Sequence, residues 1–169
     1  MLNNPAILTV VRFVLLLLAQ VLIFNHLNFF GFINPLVYVL FFYWYPIREN
    51  RAVFILVSFL FGICVDIFSD TLALHTVASI TLAYGRPIIM RFCFGANFDF
   101  QGFTFKNSTR IQRVTFLALL ILTQQIVFFS LEMLSFAHIL LILKKILFTT
   151  IATFIISLLL SSLFAVENE

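Results

Sequence analysis

The sequence predicts an all-α membrane protein, with six transmembrane helices in one bundle and a short second helix, and three observations lead there. First, 63% of the 169 residues are apolar and only 10% are charged. Second, the charges fall in short clusters between apolar runs of spanning length. Third, those runs are continuous rather than alternating, which selects helices over barrel strands, the two structures that satisfy the backbone in hydrocarbon. At ~20 helical residues per crossing of a ~30 Å core, the chain has length for about six crossings and no soluble domain. The 24 Phe residues and a mean hydropathy of +1.14 exceed what a water-soluble core of this size could hide.

The elements follow in order along a single transmembrane domain, residues 1–169. The first apolar run is a helix over 7–24. It is expected to remain in the protein, because no small-residue cleavage site of a signal peptide follows it. Asn34-Pro35 then opens a second helix over 33–46, with Asn as N-cap, Pro in the first turn and Pro46 as the stop. About a dozen helical residues span only ~18 Å, so this helix thins the bilayer, borrows Phe29–Ile33, or enters without fully spanning. Helices over 52–68 and 72–90 are separated by a few residues and form a tight antiparallel pair. Helices over 114–134 and 139–164 complete the set, and the only long polar stretch is Arg91–Arg113.

The net charge of +3 reads as topology. Arg12, Arg48, Arg51, Arg86, Arg91, Lys106, Arg110 and Arg113 fall on one side of a six-helix arrangement, against Lys144 and Lys145 on the other. Under the positive-inside rule both termini face the cytoplasm, and the turns at Asn25, Asp70 and Ser135 face outward. Arg91–Arg113 interleaves phenylalanines with basic residues, a mixture suited to an anionic membrane surface or to docking a cytoplasmic partner. Nucleic-acid binding would need a water-exposed platform that this chain lacks.

Ionisable groups inside apolar runs are costly unless paired or hydrated, so they mark candidate sites. Asp66 lies ~6 Å and Lys144 and Lys145 lie ~8 Å inside the outer helix ends, with His75 at the start of the fourth helix, so all four share one layer. The functional reading is a polar cluster in which Asp66 pairs with Lys144 or Lys145 near His75. The alternative is that the lysines snorkel to the outer headgroups, which the short Asp66 side chain cannot do. Gly62 and Asp66 stand one turn apart on one face, permitting close approach of a neighbouring helix with the carboxylate pointing the same way. Thr149, Thr153, Ser157 and Ser161 form a small-polar row at four-residue spacing, suited to a partner helix or to packing within the bundle. Gln124 and Gln125 near mid-membrane also require partners, Gln20 among the candidates, while Arg12 is expected to snorkel.

Catalysis finds little support. The chain has no HExxH, no GxSxG and no phosphate-cradling glycine loop, and Asp70, one turn beyond Asp66, reads as a cap or turn residue. Cys64 and Cys93 are in no metal-binding or redox spacing and read as apolar fillers. The expectation is a non-enzyme without metal or cofactor.

Several of these segments resemble the rod shape-determining protein MreD family of small six-helix bacterial inner-membrane proteins. They are Asn34-Pro35-Leu36 with Tyr45-Pro46, the run Ser58–Phe68 containing Gly62-x-x-x-Asp66, and His75-Thr76-Val77-Ala78. Phe128–Glu132 and Ser135-Phe136 resemble an outer turn of some members. Where the family commonly has a Leu-Gly step, this chain carries Ala73 or Leu74 in place of the glycine. The resemblance implies a non-enzymatic scaffold of the cell-elongation machinery. It would bind the bitopic protein MreC and link cytoskeletal MreB filaments to peptidoglycan synthases. Gly62, Asp66 and the Thr149–Ser161 row would then be structural or partner-facing. The rival from another class is the vitamin-binding subunit of an energy-coupling-factor transporter, which would need a spacious outer pocket.

Overall fold

The computed structural model describes residues 5–27, 33–47, 49–95, 108–132 and 139–165. The elements among them are six α-helices and one 3-10 turn: α1 (Pro5–Leu22), the turn Phe24–His26, α2 (Val39–Trp44), α3 (Arg51–Ser69), α4 (Leu74–Phe94), α5 (Arg110–Glu132) and α6 (Ile139–Ala165). Four segments are long and apolar enough to cross a membrane: Ala6–His26, Arg51–Ser69, Arg110–Glu132 and Ile142–Ser162. The 21-residue α4 is of comparable length, about 31 Å at the helical rise, with Arg86, Pro87 and Arg91 diluting its hydropathy. The expected all-α membrane class is therefore what forms.

Local chemistry sets several helix ends. Asn50 caps α3 by accepting from the Ala52 amide at 2.9 Å. Before α5, Thr109 and Gln112 form a reciprocal capping box, with Gln112 Oε1 accepting from the Thr109 amide at 3.0 Å and Thr109 Oγ1 from the Gln112 amide at 3.2 Å. That box starts α5 at Arg110 rather than Val114, and α4 runs on to Phe94 rather than Met90, so the polar stretch between them is shorter than expected. Its Phe98–Lys106 portion lies outside the described residues. Between α3 and α4, Asp70 and Ala73 both take left-handed backbone conformations, φ 53° and 59°, and so fold the pair back within four residues.

The second helix requires a correction. The sequence places it over 33–46, but α2 has six residues, about 9 Å, and does not itself cross a membrane. Asn34-Pro35 does not cap it: the residue preceding α2 is Tyr38, which makes no side-chain cap bond. Over Pro35–Tyr38 the backbone is tied to side chains of other helices, while the Leu36, Val37 and Tyr38 carbonyls accept turn-type bonds from Val39, Leu40 and Phe41. The Leu36 amide donates to Thr153 Oγ1 at 3.1 Å, the Tyr38 amide to Gln20 Oε1 at 3.3 Å, and Gln20 Nε2 donates to the Pro35 carbonyl at 3.2 Å. Irregular backbone at membrane depth is tolerated only when enclosed by protein, and every residue of Leu36–Phe42 is buried.

The other helices surround this segment. α1 packs on α3, α3 on α4, α4 on α5 and α5 on α6, and α2 packs against α1 and α5. Because Asn25 Nδ2 donates to Ser69 Oγ at 2.6 Å, the ends of α1 and α3 lie together and the two helices run parallel. The chain between them must therefore return through the bundle, and the Ile33–Tyr45 segment makes that return. Aromatic rings fill the space: Phe41 stacks on Phe61 at 5.0 Å, and Phe13 meets Phe61 edge-on at 4.8 Å. On α6, Thr149, Thr153 and Ser157 turn inward, while Leu143, Leu147, Ile151, Ile155 and Leu159 form the opposite, exposed apolar stripe.

Candidate functional site

Gly62 lets α3 approach α4 backbone to backbone. A Cβ at that position would lie 2.5 Å from Thr76 Cα, 2.9 Å from Thr76 N and 3.0 Å from the His75 carbonyl oxygen. One turn on, the Asp66 carboxylate reaches the start of α4. Its Oδ1 accepts from Thr71 Oγ1 at 2.5 Å and the His75 amide at 3.0 Å. Its Oδ2 accepts from the Thr76 amide at 2.8 Å and Thr76 Oγ1 at 2.5 Å. The residue preceding α4, Ala73, has no capping side chain, so Asp66 caps α4 from the neighbouring helix, with its charge at the favourable end of the helix dipole.

This placement corrects the expected ion pair. Neither Lys144 nor Lys145 contacts Asp66: Lys145 Nζ pairs with Glu132 at 3.2 Å on the exposed side of the bundle, and Lys144 is exposed. Position along the helix axis places the acid and the amines in one layer but leaves their direction around the axis open. The amide and hydroxyl donors that begin α4 supply what a lysine was expected to supply. His75 does join Asp66, through its backbone amide. The imidazole instead meets Tyr38, with Tyr38 Oη 3.0 Å from Nδ1, and Gln124 Nε2 donates to the same hydroxyl. Tyr38, Gln124 and His75, all buried, thereby tie α5 and α4 to the residue preceding α2.

The glutamines and the small-polar row also face inward. Gln125 Nε2 donates to Thr153 Oγ1 at 3.1 Å, the hydroxyl that also receives the Leu36 amide. Thr149, Thr153 and Ser157 have no exposed surface, whereas Ser161 is half-buried and bonds the Leu158 carbonyl of its own helix at 3.0 Å. The row is thus used in packing within the chain. Gln20 serves the backbone around Pro35 and accepts no bond from Gln124 or Gln125; its second donor contact is Asn25 Oδ1 at 2.9 Å.

At the other end of α2, arginines cap the carbonyls. Arg12 Nη1 donates to the Trp44 carbonyl at 3.3 Å, and Arg86 Nη2 donates to the Tyr45 carbonyl at 2.7 Å. The sequence alone assigns Arg12 to headgroups and Arg86 to topology. Their capping roles become visible only once α2 is known to end between them. Among the described residues no group of three His, Cys, Asp or Glu side chains is placed to hold a metal ion. An open depression of about 250 Å³ lies beside Asp66, lined in part by Ile63, Asp70, Thr71 and Leu72.

Fold and site together define a class: an all-α, membrane-embedded protein whose buried polar groups, including the Asp66 carboxylate, mainly bond one another across helices. No protein-family model, curated protein or solved structure matches the chain.

Proposed function

We propose that this protein is a non-enzymatic scaffold of the bacterial cell-elongation machinery, similar to the MreD family, that binds an MreC-like bitopic protein. It lies in the inner membrane with both termini cytoplasmic, and connects MreB filaments with peptidoglycan synthases through its partners. The observation that carries this reading is where the resembling residues meet. Gly62 and Asp66 join His75-Thr76 at the α3–α4 contact, while Pro35 and Tyr45, which bound the second segment, are held by Gln20 and Arg86. A motif whose members bond one another encodes an architecture, as a scaffold requires. The side chains that could have done chemistry in this layer are engaged: Asp66 by four donors and the His75 imidazole by Tyr38.

Partner recognition in lipid depends on close packing and interhelical hydrogen bonds more than on apolar area, because lipid tails already solvate Leu and Phe. The outward stripe of α6 and the exposed Val10, Val14, Leu15 and Leu18 of α1 offer helix faces for such packing. Depletion in the native bacterium tests the function. Rods that become round, together with loss of copurification with an MreC-like chain, are the expected result. Unchanged shape with growth that becomes vitamin-dependent would overturn the scaffold in favour of the transporter subunit.

A further inference from the structure

Two arginines cap the end of α2, and a third, Arg113, stands near it. Arg12 reaches the Trp44 carbonyl at 3.3 Å, and Arg86 reaches the Tyr43 and Tyr45 carbonyls at 3.5 and 2.7 Å. Arg113 precedes Phe116 by three residues on one face of α5, and Phe116 packs on the Tyr43 ring at 5.6 Å. That brings the Arg113 charge within electrostatic reach of the Tyr43 side chain. Among the described residues no carboxylate pairs with any of the three, and the Arg113 guanidinium makes no hydrogen bond, its Nε enclosed without a partner. Carbonyls and the end of a short helix supply no more than about half a negative charge against three positive ones. Arg86 is enclosed and engaged with carbonyls, but Arg12 and Arg113 are half-buried and remain within reach of the membrane boundary. Tyr43, Trp44 and Tyr45 mark that boundary, the depth at which aromatic belts and lipid phosphates sit.

We infer that this end of the bundle binds a phosphate-bearing anion, supplied either by an anionic lipid headgroup or as free phosphate, with Arg113 as its hydrogen-bonding fork and Arg12 and Arg86 completing the charge. Guanidinium suits this role because its planar donors match two phosphate oxygens at once. The inference concerns these residues alone and does not depend on the scaffold reading.

The full chain is purified in neutral detergent and titrated with phosphatidylglycerol, with retained lipid counted by native mass spectrometry. Among the described residues Arg113 contributes no side-chain hydrogen bond, so Arg113→Gln is expected to stay folded while its phosphatidylglycerol affinity falls roughly tenfold, the loss of one charge-assisted hydrogen bond. Arg113→Lys is expected to fall between the two. Lys144→Gln, at the opposite end, is expected to bind as the parent does. A second arm adds inorganic phosphate without lipid. A rise in thermal midpoint that Arg113→Gln abolishes would support the same site filled from solution. Equal lipid affinity of Arg113→Gln and the parent, equal losses in the Arg113 and Lys144 variants, or no response to either probe would overturn the inference.

Discussion

Gly62→Ala is expected to separate α3 from α4, and the structure sets how far. The new methyl would lie 2.5 Å from Thr76 Cα, where an ordinary carbon contact begins near 3.5 Å, so the helices must part by about 1 Å. All three of the nearest atoms are backbone, so no side-chain rotation relieves the clash. The same displacement stretches the Asp66 bonds to the Thr76 and His75 amides from 2.8 and 3.0 Å to beyond hydrogen-bonding range. Two charge-assisted bonds at about 1.5–3 kcal/mol each predict a loss of at least about 3 kcal/mol. Reversible unfolding in mixed micelles measures it. Gly85→Ala is the control: nothing lies within 4 Å of its added Cβ, and better helix propensity is expected to leave it unchanged or about 1 kcal/mol more stable. A double-mutant cycle with Asp66→Asn tests the mechanism. If Gly62 acts by holding Asp66 on α4, then with Asp66→Asn already in place the alanine costs only the overpacking term of about 1–3 kcal/mol, and the pair shows coupling of about 3 kcal/mol, the value of the two bonds. Strict additivity, or equal effects at Gly62 and Gly85, would refute the reasoning.

Further substitutions probe the rest of the network by the same unfolding assay. Ala73→Gly is expected to add about 1 kcal/mol, because Ala73 is held at φ 59°, a conformation costly for a residue with a Cβ; destabilisation would refute that assignment. Gln20→Leu strips partners from the Pro35 carbonyl and the Tyr38 amide and is expected to cost about 2–4 kcal/mol; a neutral result would mean that these groups bond elsewhere. Tyr38→Phe removes the shared oxygen between His75 and Gln124 and is expected to cost about 2 kcal/mol without altering helix content by circular dichroism. Lys145→Ala is expected to change stability by less than about 1 kcal/mol, since its pair with Glu132 is partly exposed; a larger loss would assign that pair a structural role.

What the sequence made legible follows from the range of each interaction. Apolar run length and the clustering of charge are local, and they place α1, α3, α4, α5 and α6 within a few residues. The Gly62–Asp66 face is legible too, because helical periodicity alone puts both groups on one side. The capping box at Thr109 and Gln112 is equally local but sits in a polar stretch that reads as a loop. The start of α2 depends instead on distant partners: Leu36 is bonded by Thr153, across most of the chain, so an Asn-Pro start signal yields to a tertiary bond. The Asp66 partner fails for a related reason. Counting residues fixes depth in the bundle, but only packing determines which neighbouring helix the carboxylate faces.

Accessibility across residues 36–42 tests the enclosed return segment most directly. With Cys64 and Cys93 replaced, single spin-labelled cysteines are placed at each position and along α3 at Val53, Leu56 and Leu60, and collision with lipid-dissolved oxygen is recorded. The structure predicts uniformly low collision rates at 36–42, where every side chain is buried, and high rates at the three exposed α3 positions. A rate that rises and falls with helical periodicity through 36–42, reaching the α3 values, would mean that the segment is an ordinary lipid-facing helix.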